Sequence, residues 1–151
     1  MATVRWTLQE RRGRLRSQHV LVDEAGADVA RVRRDGRVVA TRAGTAEDPE
    51  GRAWRVVGTP GDLLITRDGD HRATVQDGVL EAEGRTFGWR VAEDGSGTAR
   101  VTSATGSPSV LLRIDPAPGD DAGALMTVAF DDTLPAAFGV VLAATFRLLE
   151  A

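Results

Sequence analysis

The sequence predicts a mainly β fold: a closed or nearly closed antiparallel barrel of about twelve strands that encloses one hydrophobic C-terminal helix. Three observations carry this. Short alternating runs broken by turn residues recur from residue 4 to residue 130, the spacing of an all-β sandwich or barrel. Asp-Gly dipeptides stand at Asp35-Gly36, Asp68-Gly69, Asp77-Gly78 and Asp94-Gly95, and Asp-Gly supplies the positive φ that two-residue hairpin turns need. The chain then ends on LPAAFGVVLAATFRLLEA, Leu134 to Ala151. A helix that is apolar all round must be wrapped, and the preceding strands are the material available to wrap it.

The expected strands run in order. Val4–Glu10 and Arg14–Val22 come first, then a turn at Asp23–Gly26 and a strand over Ala27–Arg34. Asp35-Gly36 turns the chain into Arg37–Arg42. A polar stretch, GTAEDPEG at 44–51, reads as a mobile loop. Arg52–Gly58, Leu63–Arg67, Asp70–Gln76, Val79–Glu83 and Thr86–Ala92 follow, with Phe87, Trp89 and Val91 on one face of the last. Thr98–Ser103, Ser109–Ile114 and Ala124–Phe130 complete the set. In the closing helix, Asp131, Asp132 and Thr133 offer an N-cap, Pro135 lies in the first turn and Arg147 near the end. Its charge-free stretch, Thr133 to Phe146, is fourteen residues, short of the roughly twenty a bilayer span needs. A helix of about seventeen residues would be roughly 25 Å long, against about 20 Å for a strand of six or seven residues, so it can thread a closed sheet.

At 151 residues the chain reads as a single domain, residues 1–151, with one core. It has no Cys, Lys, Tyr or Asn. Disulfides, iron–sulfur clusters, thiol nucleophiles, a P-loop lysine and Schiff-base chemistry are thereby excluded. The first residues, VRWTLQERRGRLR, are charged throughout and lack a secretory apolar core; a cytoplasmic location is expected, at most peripheral to a membrane. The net charge of −3 divides unevenly: residues 1–60 hold twelve Arg against eight acids, and residues 61–151 seven against fourteen. A pI near 5.4 argues against a duplex-DNA binder, and no nucleic-acid partner is expected.

Two readings compete for the basic residues. Arg12, Arg14 and Arg16 alternate, so on a strand they share a face, and Arg31, Arg33 and Arg34 lie on the next strand of the same hairpin. Together they are the candidate site for an anion, held by bidentate guanidinium forks. The competing reading pairs them with Asp23, Glu24 or Asp28. His19 and His71 are the only histidines. Ser17-Gln18-His19 lacks the depth and oxyanion hole of an acyl-transfer site, and neither a metal site nor a cofactor is expected. Gly95-Ser96-Gly97 opens a strand, outside any βαβ unit, and reads as a loop. Trp6, Trp54 and Trp89 read as core or barrel-rim residues.

About twelve strands followed by a terminal apolar helix resembles the tubby C-terminal-like superfamily. The segments HVLVDEAGADVARVRRDG (His19–Gly36) and DDTLPAAFGVVLAATFRLLE (Asp131–Glu150) are most similar to the LURP-one-related proteins, relatives of the phospholipid scramblases. The resemblance implies a barrel around the helix and a binding or scaffold role without catalysis. Tubby domains bind phosphoinositide head groups through basic residues, but no Arg motif here matches theirs position by position, and no loop matches a calcium-binding one. The expected function is a non-enzymatic binding module for an anionic lipid or another phosphate-bearing ligand; the alternative is a protein-interaction scaffold without a small ligand.

Overall fold

The computed structural model describes residues 2–15, 17–34, 42–59, 62–92, 96–103, 109–118 and 123–150. Twelve strands precede one helix: β1 (Thr3–Arg12), β2 (Ser17–Asp23), β3 (Asp28–Arg34), β4 (Arg42–Glu47), β5 (Ala53–Thr59), β6 (Asp62–Arg67), β7 (Asp70–Gln76), β8 (Val79–Ala82), β9 (Arg85–Val91), β10 (Ala99–Ser103), β11 (Val110–Pro116), β12 (Ala124–Asp131) and α1 (Ala137–Glu150). Each strand pairs antiparallel with the next, and β12 returns to β1. The predicted barrel around a terminal helix is the observed fold. Closure removes the free edges that an open sheet would expose.

Turn chemistry sets the meander. Asp68-Gly69, Asp77-Gly78 and Glu83-Gly84 all carry positive φ at both positions, the geometry that matches the twist of the flanking strands. Asp35-Gly36 and Asp94-Gly95 lie outside the described residues. Two expectations are corrected. The stretch read as a loop holds β4, while the strand expected over Arg37–Arg42 falls, except for Arg42, outside the described residues. The helix also begins later than its signals suggested. Asp131 accepts hydrogen bonds from the Thr133 amide (2.9 Å) and hydroxyl (2.7 Å), so it closes a turn beyond β12. Ala136, at φ 53°, then bends the chain into α1.

Val140 to Phe146 are buried without interruption. Leu8, Leu21, Val56, Ile65, Leu80, Leu112 and Ile114 point inward from six different strands and are fully buried with them. Thr145 is the buried polar residue of this core, and its hydroxyl reaches back to the Val141 and Leu142 carbonyls, both at 3.0 Å, so no polar atom there is stranded. An aromatic chain fixes the start of the helix. Trp6 packs on Phe130 (4.7 Å between centroids) and on Phe138 (6.1 Å), and Phe138 reaches Trp54 at 5.8 Å.

The helix fits because small residues let it approach the wall. A Cβ on Gly139 would lie 2.6 Å from Ile65 Cγ2 and from two Trp54 ring carbons. A Cβ on Gly44 would lie 2.8 Å from the Phe146 ring. Overpacking of this kind costs about 1–3 kcal/mol. Gly139→Ala should therefore destabilise the protein by that amount despite the higher helix propensity of alanine; a denaturant midpoint at or above wild type would refute the tight fit.

Candidate functional site

The site grows from one irregularity in the barrel. β3 and β4 share two described residue pairs, Arg33 with Thr45 and Arg34 with Gly44. Among the described residues Asp28–Val32 pairs with no residue of β4. These strands border a groove of about 810 Å³ on the outer wall. Register lines up its residues. Arg33 faces Thr45, Thr45 faces Arg55, and Arg55 faces Thr66, one outward row crossing four strands. Arg31 stands two residues along β3 and shares the outward face. Trp54 and Ala46 line the groove too, as do the acidic Glu47 and Asp68.

Asp28, Asp23, Asp68 and Asp48, four carboxylates near these arginines, have other partners, whereas Glu47 lines the groove without an ion pair among the described residues. Arg11 holds Asp28 bidentately, at 2.8 and 2.7 Å. That hydrogen-bonded pair, with the field of Arg31 a smaller contribution, keeps the Asp28 carboxyl below its ordinary pKa. Asp23 accepts from the Ala25 and Ala27 amides, each at 2.9 Å, and closes its own turn. Asp68 accepts the Ala53 N–H at 2.9 Å. Asp48 takes the Glu50 and Arg52 amides on one oxygen and the Trp54 indole N–H, at 2.8 Å, on the other, pinning the β4–β5 turn at the groove's end. Among the described residues Arg31, Arg33 and Arg55 enter no ion pair and donate no side-chain hydrogen bond.

Five of the six arginines singled out in the sequence are among the described residues. Arg31 and Arg33 are in the groove. Arg34 belongs to the other face of β3, at the mouth of the barrel, where its guanidinium reaches the Leu149 carbonyl at 3.4 Å. A cation there complements the C-terminal end of the helix dipole. Arg12 is exposed at the end of β1, opposite Ser17. Arg14 is exposed in the β1–β2 turn, not on a strand as expected, and Arg16 lies outside the described residues. A second groove of about 530 Å³ is lined by Ser17, Gln18, His19, Arg31, Arg33 and Arg34, so these three arginines meet there. Arg55, Thr45 and Thr66 were missed. The alternation Ala53-Trp54-Arg55 marked Arg55 as outward, but its partners appear only once β4 is placed.

His19 sits at the same mouth as Arg34. Burial, reinforced by Arg34, lowers its pKa, while Glu10, directly opposite in register, raises it by less. His71 is exposed on β7. Among the described residues no three His, Asp or Glu side chains cluster as metal ligands. Trp54, expected in the core or at the rim, is buried and lines the groove, and the Arg67 guanidinium lies 5.8 Å from its ring centroid.

No known family profile matches the sequence, and no curated protein matches it. The fold, in contrast, has a solved counterpart. The crystal structure of the Arabidopsis thaliana protein AT5G01750 superposes with a TM-score of 0.65 over 99% of this chain and 92% of that one, at 13% sequence identity. At that identity the likeness is one of fold alone. No helix among the described residues is long and apolar enough to cross a membrane.

The lowered His19 value fixes a pH dependence. Folding favours the neutral ring, so its contribution is complete above the unfolded pKa of about 6.5 and is lost as pH falls through the lower folded value. Unfolding free energy should decline as pH drops from 7 toward 5, and His19→Gln should flatten that decline; an equally steep decline in the variant would contradict the assignment.

Proposed function

We propose that this chain is a non-enzymatic binding module of the tubby-like, LURP-one-related kind. It holds a phosphate-bearing ligand, an anionic lipid head group at the cytoplasmic face of a membrane, in the groove between β3 and β6. One observation carries the reading: Arg31, Arg33 and Arg55 converge on a groove of about 810 Å³ without a carboxylate paired to any of them. Guanidinium forks match phosphate oxygens two at a time. In the same row Thr45 stands between Arg33 and Arg55 and Thr66 beyond Arg55, and their hydroxyls can donate to the remaining oxygens. Trp54 and Ala46 give the groove an apolar part, suited to the uncharged portion of such a ligand. The family reading is supported by the twelve-strand closed barrel, its enclosed helix and the fold shared with the Arabidopsis protein. The groove volume lies within the usual range for small-molecule sites, about 300–1,000 Å³.

Co-sedimentation with vesicles containing phosphatidylserine or phosphoinositide tests this. Binding should weaken as salt rises, because exposed charges are screened. Charge-assisted hydrogen bonds contribute about 1.5–3 kcal/mol each, so the triple variant R31Q/R33Q/R55Q should bind at least about tenfold more weakly while unfolding at the wild-type temperature. Inorganic phosphate or a soluble inositol phosphate should compete at the same residues. Undiminished vesicle binding by the triple variant, or no binding by the wild type at low salt, would refute the assignment.

A further inference from the structure

A second basic feature lies on the opposite wall. Register places Arg90 directly opposite Arg100 across β9 and β10, and Arg100 opposite Arg113 across β10 and β11. The same row continues from Arg113 to Ala129 on β12, and from Ala129 to Arg5 on β1. Their neighbours along each strand belong to the core or pack against it: Trp89 and Val91, Ala99 and Val101, Leu112 and Ile114, Val4 and Trp6. Arg90, Arg100, Arg113 and Arg5 therefore all point out, and all four are exposed.

Like charges directly opposite one another destabilise a sheet. Among the described residues one ion pair touches the row: Asp115 lies 2.6 Å from Arg113 Nε. Among the described residues Arg5, Arg90 and Arg100 make no ion pair. Arg100, held between two other arginines, has no internal role that its charge serves. In the order of the twelve strands β11 stands six places from β5, so this row is diametrically across the barrel from the phosphate groove and does not rest on that reading.

We propose that the row is a docking stripe for an extended acidic segment of a protein partner. Its curvature selects a flexible chain over a flat surface. From β9 to β1 the row covers four of twelve strand steps, a third of the circumference, so a planar bilayer cannot meet Arg5 and Arg90 together. Thr86, Gly88 and Thr102, outward on the same strands, present no ring to a base, whereas single-stranded nucleic acids are held by stacking on aromatics. An extended peptide carries alternate side chains on one face about 6.7 Å apart. Adjacent strands are about 4.8 Å apart, and a convex wall fans long side chains outward beyond that backbone spacing, toward the spacing of the carboxylates. Val110, half exposed beside Thr102, adds an apolar contact at the stripe's border.

The test is fluorescence anisotropy of a labelled peptide of alternating Glu and Ser at low salt, with a Lys-Ser peptide as control. The Glu-Ser peptide should bind and the Lys-Ser peptide should not. R90Q/R100Q should weaken binding at least tenfold, while R31Q/R33Q/R55Q leaves it unchanged. Arg100→Gln alone should raise the melting temperature by about 1–4 °C by relieving like-charge contact. Absence of Glu-Ser binding, binding undiminished in R90Q/R100Q, or a lowered melting temperature for Arg100→Gln would overturn the proposal. So would tighter binding of a uridine oligonucleotide or an anionic vesicle through the same arginines, which would assign the stripe to that partner.

Discussion

A helix buried on every side imposes its dimensions on everything around it. From Val140 to Phe146 α1 offers no polar face, so its stability comes from the apolar surface it removes from water, about 25 cal/mol for each Å². Fourteen residues make it about 21 Å long, the length of a six- or seven-residue strand, and the strands are sized accordingly. Where the wall comes closest, the sequence supplies residues with little or no side chain. Gly44 leaves room for the Phe146 ring, and Gly139 brings the helix against Trp54 and Ile65.

This filling decides where function can reside. A barrel with an empty lumen would bind its ligand inside; here the interior is packed, and recognition moves to the outer wall and the mouths. The outer face is also where the strands are free to carry charge, since alternation sends every second residue to solvent. Register converts that freedom into rows. Arg33, Thr45, Arg55 and Thr66 form one, and Arg90, Arg100 and Arg113 form the other. The first borders a groove of about 810 Å³. Two of the acids that could have neutralised it are held elsewhere, Asp28 by Arg11 and Asp23 by its own turn.

The fold was legible because its signals are local. Asp-Gly turns, alternating runs and a greasy tail each declare themselves within a few residues. Failures occurred where tertiary space overrode local preference. β4 reads Arg-Ala-Gly-Thr-Ala-Glu, poor strand material by propensity, because Gly44 and Ala46 are chosen for the volume they leave to the helix. Asp131 looked like a helix cap and instead closes the preceding turn, since Ala136 must first redirect the chain. The arginine patch was legible as composition only. Residue number alone cannot show that Arg34 faces the barrel mouth while Arg33 faces out, nor that Arg55 joins Arg33 across β4. The row from Arg5 to Arg90 joins residues far apart in sequence, and only the closure of β12 on β1 aligns them.

Amide hydrogen exchange along α1 tests the central claim most directly. If the helix is the core around which the barrel closes, the amides of Val141 to Phe146 can open only when the whole barrel does, and their exchange should report the global unfolding free energy. Exchange in that segment at a markedly lower opening free energy, with the strands still protected, would mean the helix leaves while the sheet stays closed, and the account built on it would fail.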